Sequence, residues 1–164
     1  MIKPTADMDP MYLYDQFIKD DEWSENDNDT ERQFGTSVRA GAKHLQKTGR
    51  VKSYLWAEGV EDVRAWHLSN FGTVVLGVNW YTGMFEPDSE GYIKVSGIVE
   101  GGHCVKTTGW NDTARPGGVV YGQNSWDEDW GVKGRFRIRR DDLERLIMEQ
   151  GEACAAVEQK VVPV

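Results

Sequence analysis

Residues Glu100 to Phe136 read EGGHCVKTTGWNDTARPGGVVYGQNSWDEDWGVKGRF, and this stretch restricts the fold more than any other part of the chain. Val105, Thr107 and Thr108 suit a strand, Arg115-Pro116-Gly117-Gly118 suits a hairpin loop, and Val119 to Gln123 suits the returning strand. A hairpin of this kind places His103 beside Asn124. An imidazole whose ring N–H is held by an amide, under an indole that excludes water, is an oriented base. The second run ends in Asn124-Ser125-Trp126, and Gly101-Gly102 permit a close backbone approach just before the histidine.

A chain of 164 residues fits one domain with a sizeable core. With 39% hydrophobic and 28% charged residues, it has the balance of a globular protein. Eighteen glycines and seven tryptophans point to a turn-rich sheet with large aromatic fillers. No apolar run approaches the roughly 20 residues of a membrane span, and the N-terminus lacks a basic-then-apolar signal, so no membrane partner is expected. The compartment stays open between cytoplasmic and virion-associated. A net charge of −8 argues against nucleic acid, whose affinity rests on phosphate neutralisation. The one basic run, Arg135 to Arg140, alternates like a strand with Phe136 and Ile138 inward and its arginines solvated. Cys104 and Cys154 form neither a disulfide framework nor a CxxC pair, and three scattered histidines give no zinc pattern. No metal or other cofactor is expected. His44 and His67, on helices among polar neighbours, read as surface residues.

Along the chain, residues 1–8 read as a flexible N-terminus. Asp9-Pro10 opens a helix, and the acidic stretch from Lys19 to Arg32 is a solvated loop, lacking the glycine a calcium loop needs. Thr36 or Ser37 caps a second helix, with Val38, Ala42 and Leu45 as its buried stripe. A short extended piece at Tyr54 to Ala57 precedes a third helix over Glu61 to Asn70. Thr73 to Trp80 is a buried strand, Tyr92 to Val99 a further candidate strand, and Asp141 caps a last helix before a strand at Ala153 to Val157. Trp80, Tyr81, Met84 and Phe85 suit either a binding surface or core packing. The domain plan is one domain over residues 9–158, helical over 9–50 and sheet-rich over 51–158, with a tail at 159–164.

Gly-His at 102–103, Asn-Ser-Trp at 124–126 and Trp130-Gly131 ahead of Gly134-Arg135-Phe136 resemble the C-terminal half of papain-like (family C1) cysteine peptidases. The early helices resemble bacterial and phage members of that group. The resemblance covers about residues 10 to 158. It implies an α+β fold, helices packed on a twisted, mostly antiparallel sheet or half-barrel. It also implies His103 as base, Asn124 as its orienter, Trp126 as a shield and Gly102 as a lining of the substrate groove. The family's nucleophilic cysteine starts a helix upstream of everything matched here, and Met1 to Gly49 contains no cysteine. The oxyanion donors tied to that segment are lost with it. Cys104 is the alternative nucleophile, but strand alternation turns it away from His103 unless a bulge intervenes.

Two functions follow as expectations, beside a third reading, an unrelated sheet domain with a chance motif, which the breadth of the match disfavours. One is a papain-like homologue without a nucleophile in this chain, inactive alone and serving a binding or structural role in a bacterial or phage assembly. The other is an active endopeptidase whose cysteine comes from an upstream segment or another chain. The partner in both is a peptide or protein. A missing helix also leaves apolar faces to be covered by an upstream piece, a partner chain or a second copy.

Overall fold

The computed structural model describes residues 9–21 and 35–158. The expected flexible residues 1–8, the tail at 159–164 and most of the acidic loop lie outside them. In chain order the elements are α1 (Pro10–Asp20), α2 (Val38–Lys47), β1 (Val51–Trp56), α3 (Val60–Leu68), β2 (Val74–Tyr81), a short 3-10 turn (Thr82–Met84), β3 (Val99–Asn111), β4 (Val119–Gln123), β5 (Arg135–Arg139), α4 (Arg140–Met148) and β6 (Glu152–Glu158). The strands form one sheet in the order β1-β6-β2-β3-β4-β5. Its register pairs from β6 through β2, β3 and β4 to β5 are all antiparallel, so the architecture is α+β. Contacts group the described residues into two compact units, 9–21 and 35–54 with 156–158, and 55–155.

In the first unit, helix starts follow local chemistry. The Asp9 carboxylate accepts from the Met11 and Tyr12 N–H groups at 2.8 and 3.2 Å, and Pro10 takes the first helical position, where no N–H is needed. Ser37 caps α2 by accepting from the Ala40 N–H at 3.0 Å. Thr36 donates to the Asp21 carboxylate at 2.8 Å, and the Ser37 N–H reaches the same oxygen at 2.7 Å. The buried stripe of α2 is Ala40, Gly41 and Ala42, shifted from the Val38, Ala42 and Leu45 of the sequence reading. Small residues are needed there because the Phe17 ring lies where a side chain on Gly41 would crowd it, at 3.3 Å. His44 is not a surface residue: its side chain is 11% exposed, with Nδ1 2.6 Å from Asp20. That bond, then one from Lys47, holds the Asp20 carboxyl below its usual range.

The second unit holds the core. In β2, Val74, Leu76, Val78 and Trp80 are buried while Val75, Gly77 and Asn79 between them are less so, the period-2 pattern of a strand with one core face. Val63 of α3 and Leu143, Leu146 and Ile147 of α4 belong to the same cluster as that face. Glu144 accepts from the Val60 N–H at 2.7 Å, placing a carboxylate at the N-terminus of α3, where Gly59 offers no side-chain cap. Two expectations are corrected. Tyr92 to Ile98 is not a strand; Tyr92 makes an isolated bridge to Arg137, the rest of that segment is irregular, and Val99 is the first residue of β3. Asp141 does not cap α4; it lies in the first turn, one residue inside a start at Arg140.

The sequence reading also placed His67 on the surface, and the structure does not. Near the end of α3, its Nε2 lies 2.8 Å from the hydroxyl of Thr107, a residue with no exposed surface. Desolvation holds the imidazole below its ordinary pKa, against the opposing pull of a Gly72 backbone hydrogen bond. Between that lowered pKa and the ordinary value of about 6.5 the unfolded chain binds more protons than the folded one. The contribution is therefore complete above about pH 6.5 and is lost as pH falls through the window. The loss of melting temperature between pH 7 and 5 is expected to be shallower in His67→Gln than in the parent. Identical slopes would remove His67 from the acid response.

Candidate functional site

His103 lies on β3, opposite Val78 of β2, so its side chain shares the core face with Val78 and Trp80. Asn124 follows the last residue of β4, and its N–H donates to the Gly134 carbonyl at 2.9 Å. The hairpin brings the two side chains together: His103 Nε2 is 2.9 Å from Asn124 Oδ1. The same oxygen accepts from the Ser125 N–H at 2.8 Å, which orients the amide. With the carbonyl oxygen facing the ring, it is Nε2 that carries the proton of a neutral imidazole, which leaves the lone pair on Nδ1. No described residue hydrogen-bonds to Nδ1. Asn124 is only 5% exposed and His103 is half-buried, so the amide side of the pair is the side held out of water.

Aromatic rings enclose the imidazole. The Trp126 ring lies 4.8 Å from it at 34°, and the Trp80 ring meets it edge-on at 4.7 Å. Phe85 stacks on Trp126 at 5.4 Å, and Trp130 packs against Trp126 at 5.3 Å. Trp126 thus lies against the imidazole, and so does Trp80, a residue that sequence reasoning left open between core and surface. Of that group, Trp80, Tyr81 and Met84 are buried and Phe85 is exposed. Gly101 and Gly102 are exposed, and a β-carbon at either would meet no atom within 4 Å. No described neighbour therefore demands glycine there.

Neither thiol joins this arrangement. Cys104 is paired with Gly77, and Gly77 with Glu152. These three lie in one cross-strand row on the face away from His103, and no bulge breaks the alternation between positions 103 and 104. Cys104 retains exposed surface, yet neighbouring atoms desolvate its thiol and raise its pKa, with the Glu152 carboxylate adding to the rise. Cys154 is paired with Val75, so it shares that face; burial, then Glu152, pushes its thiol up to about 11. Both pKa shifts run opposite to those of an activated nucleophile.

A 540 Å³ cleft elsewhere in this unit is lined by Leu55, Ala57, Val63, Trp66 and Phe71 among others, and includes none of the residues around His103. Among the described residues no group of His, Cys, Asp and Glu is placed to hold a metal ion, and no helix is long and apolar enough to cross a membrane.

Comparison with known proteins gives the class of this arrangement. The profile of the papain family cysteine proteases matches residues 13–162, so the chain belongs to that family. The relatives include cathepsin B-like cysteine proteinase 5 of Caenorhabditis elegans, 33% identical over 99 residues, which are 60% of this chain and 27% of that protein. A cathepsin B-like cysteine proteinase of Schistosoma japonicum is 37% identical over 71 residues, 43% of this chain and 20% of that protein. The matches thus span about a quarter or less of these relatives' length. Among solved structures, xylellain, a cysteine protease from Xylella fastidiosa, superposes with a TM-score of 0.67 at 16% identity, covering 91% of this chain and 70% of its own. Procathepsin B S9 from Trypanosoma congolense gives 0.52 at 24% identity, covering 68% and 37%. These likenesses place the fold as papain-like.

Proposed function

We propose that this chain carries the imidazole–amide half of a papain-type site and, by itself, binds a peptide or protein partner without cleaving it. The observation that carries this reading is the position of the thiols: Cys104 and Cys154 both lie on the sheet face opposite His103, with raised pKa values. In this reading Asn124 Oδ1 holds the Nε2 proton of His103, Trp126 and Trp80 keep water from the pair, and exposed Gly102 borders the groove in which a peptide lies. A thiol brought to Nδ1 would lose its proton to the imidazole, attack a peptide carbonyl, and the imidazolium would then protonate the leaving amine.

That unengaged Nδ1 favours a second reading, in which a cysteine from an upstream segment or another chain completes an active endopeptidase. A fluorogenic peptide assay separates the two. The purified 164-residue chain is expected to give no turnover above the His103→Ala background. His103-dependent, thiol-reagent-sensitive turnover by this chain alone would overturn the first reading. Turnover only when the in-frame sequence upstream of Met1 is co-expressed would establish the second.

A further inference from the structure

The outer face of β4 and β5, on the side of the sheet away from His103, carries a built cationic site. Phe136 and Ile138 of β5 point into the core, which turns Arg135, Arg137 and Arg139 outward. Arg137 is half-buried, its guanidinium 5.7 Å from the ring centres of both Tyr92 and Tyr121. Two such contacts restrain a planar guanidinium before any ligand arrives. No carboxylate among the described residues pairs with Arg137 or Arg135, although the chain carries a net charge of −8. Both arginines line a 410 Å³ pocket with Tyr121, Thr108 and Gly109. The one acidic residue lining it, Glu90, is already held by Arg115 at 2.6 Å, and Arg115 lies 4.5 Å above the Tyr92 ring. Lys106 adds a further cation in the cross-strand row with Gln123 and Arg135.

We propose that this face docks an extended acidic peptide segment, one carboxylate seated on Arg137 and a second, two residues along, on Arg135. The spacing argues for a strand-like ligand. Residues i and i+2 of β5 are about 7 Å apart on one face, as are alternate side chains of any extended peptide. A guanidinium fork matches a carboxylate with two parallel hydrogen bonds. A nucleic acid draws its affinity from neutralising many phosphates, which two arginines on a chain of net charge −8 do not supply, whereas a short peptide needs only two carboxylates seated. The site is independent of His103 chemistry and stands whichever reading of that centre holds.

The test is fluorescence anisotropy of the intact chain with a labelled peptide of sequence Gly-Glu-Ser-Glu-Gly, its Gln-for-Glu counterpart, inorganic phosphate and a short oligothymidylate. Saturable binding of the acidic peptide that weakens with salt is expected, with the Gln counterpart at least about tenfold weaker. Arg137→Gln is expected to lose about tenfold, Arg135→Gln several-fold, and Arg137→Lys to fall between parent and Arg137→Gln, because the charge survives and the fork does not. His103→Ala is expected to bind as the parent does. Arg135 is exposed, so its variant reads the site even if Arg137→Gln perturbs folding. The proposal is overturned by equal binding of the two peptides, by unchanged affinity in both glutamine variants, or by no saturable binding up to about 1 mM. Displacement by phosphate or oligothymidylate at lower concentration than the acidic peptide would equally refute a peptide site.

Discussion

Iodoacetamide at pH 8 is expected to label Cys154 of the folded chain at least about a hundredfold more slowly than an unstructured cysteine. His103→Ala is expected to leave the rates of both cysteines unchanged. The nucleophile in alkylation is the thiolate, and a thiol pushed from its ordinary 9.0 to about 11 holds roughly two orders of magnitude less of it at a pH below both values. Cys154 is also only 4% exposed, so limited access acts in the same direction. Cys104 is more accessible and is expected to label faster than Cys154, but still below the free-thiol rate, because desolvation and the Glu152 charge both raise its pKa. Locating the label by peptide mass across pH 5 to 9 checks this. Fast labelling of either cysteine near pH 6, abolished in His103→Ala, would mean an imidazole-paired thiolate. The thiol positions, and with them the non-hydrolytic reading, would then be wrong.

The second large effect is steric. Gly122→Ala is expected to cost about 1–3 kcal/mol of unfolding free energy, and Phe136→Leu in that background to recover part of it. A β-carbon on Gly122 would fall within the envelope of the Phe136 ring, closer than packed carbons come. Gly122 and Phe136 are direct cross-strand partners on the core face, and Phe136 is 2% exposed, so the ring has no solvent into which to swing. The displacement should also reach the site. Phe136 packs on Trp130 at 6.0 Å, Trp130 on Trp126 at 5.3 Å, and Trp126 on His103 at 4.8 Å. For a chain of this size each kcal/mol corresponds to roughly 2–4 °C in melting temperature, well within reach of calorimetry. Parent-like stability of Gly122→Ala, or strict additivity of the two substitutions, would show that the ring has room to move.

Much of the architecture was legible because it is local. Asp9-Pro10 and Ser37 start helices by bonds within a few residues of themselves. The alternation of Arg135 to Arg139 follows from the two-residue period of a strand, and the apolar run from Thr73 to Trp80 marks β2 as a strand, although which of its faces meets the core shows only in the structure. The meeting of His103 with Asn124 needed only two consecutive strands and the turn between them. Alternation also sufficed to turn Cys104 away from His103.

Tertiary structure decided what depends on register between distant segments. Trp80 could be a core or a surface residue until β2 paired with β3 and set it beside His103. His67 looked solvated as a polar residue near the end of a helix, while its partner Thr107 lies 40 residues on. That Cys154 shares a face with Cys104 follows only from the pairing of β2 with β6 on one side and β3 on the other. The same holds for Arg137: one strand's alternation turns it outward, but only the packing of three segments sets it beside Tyr92 and Tyr121. Hydrogen-bond periodicity acts between near neighbours and is written along the chain, whereas side-chain company is set by long-range register, which no window of sequence contains.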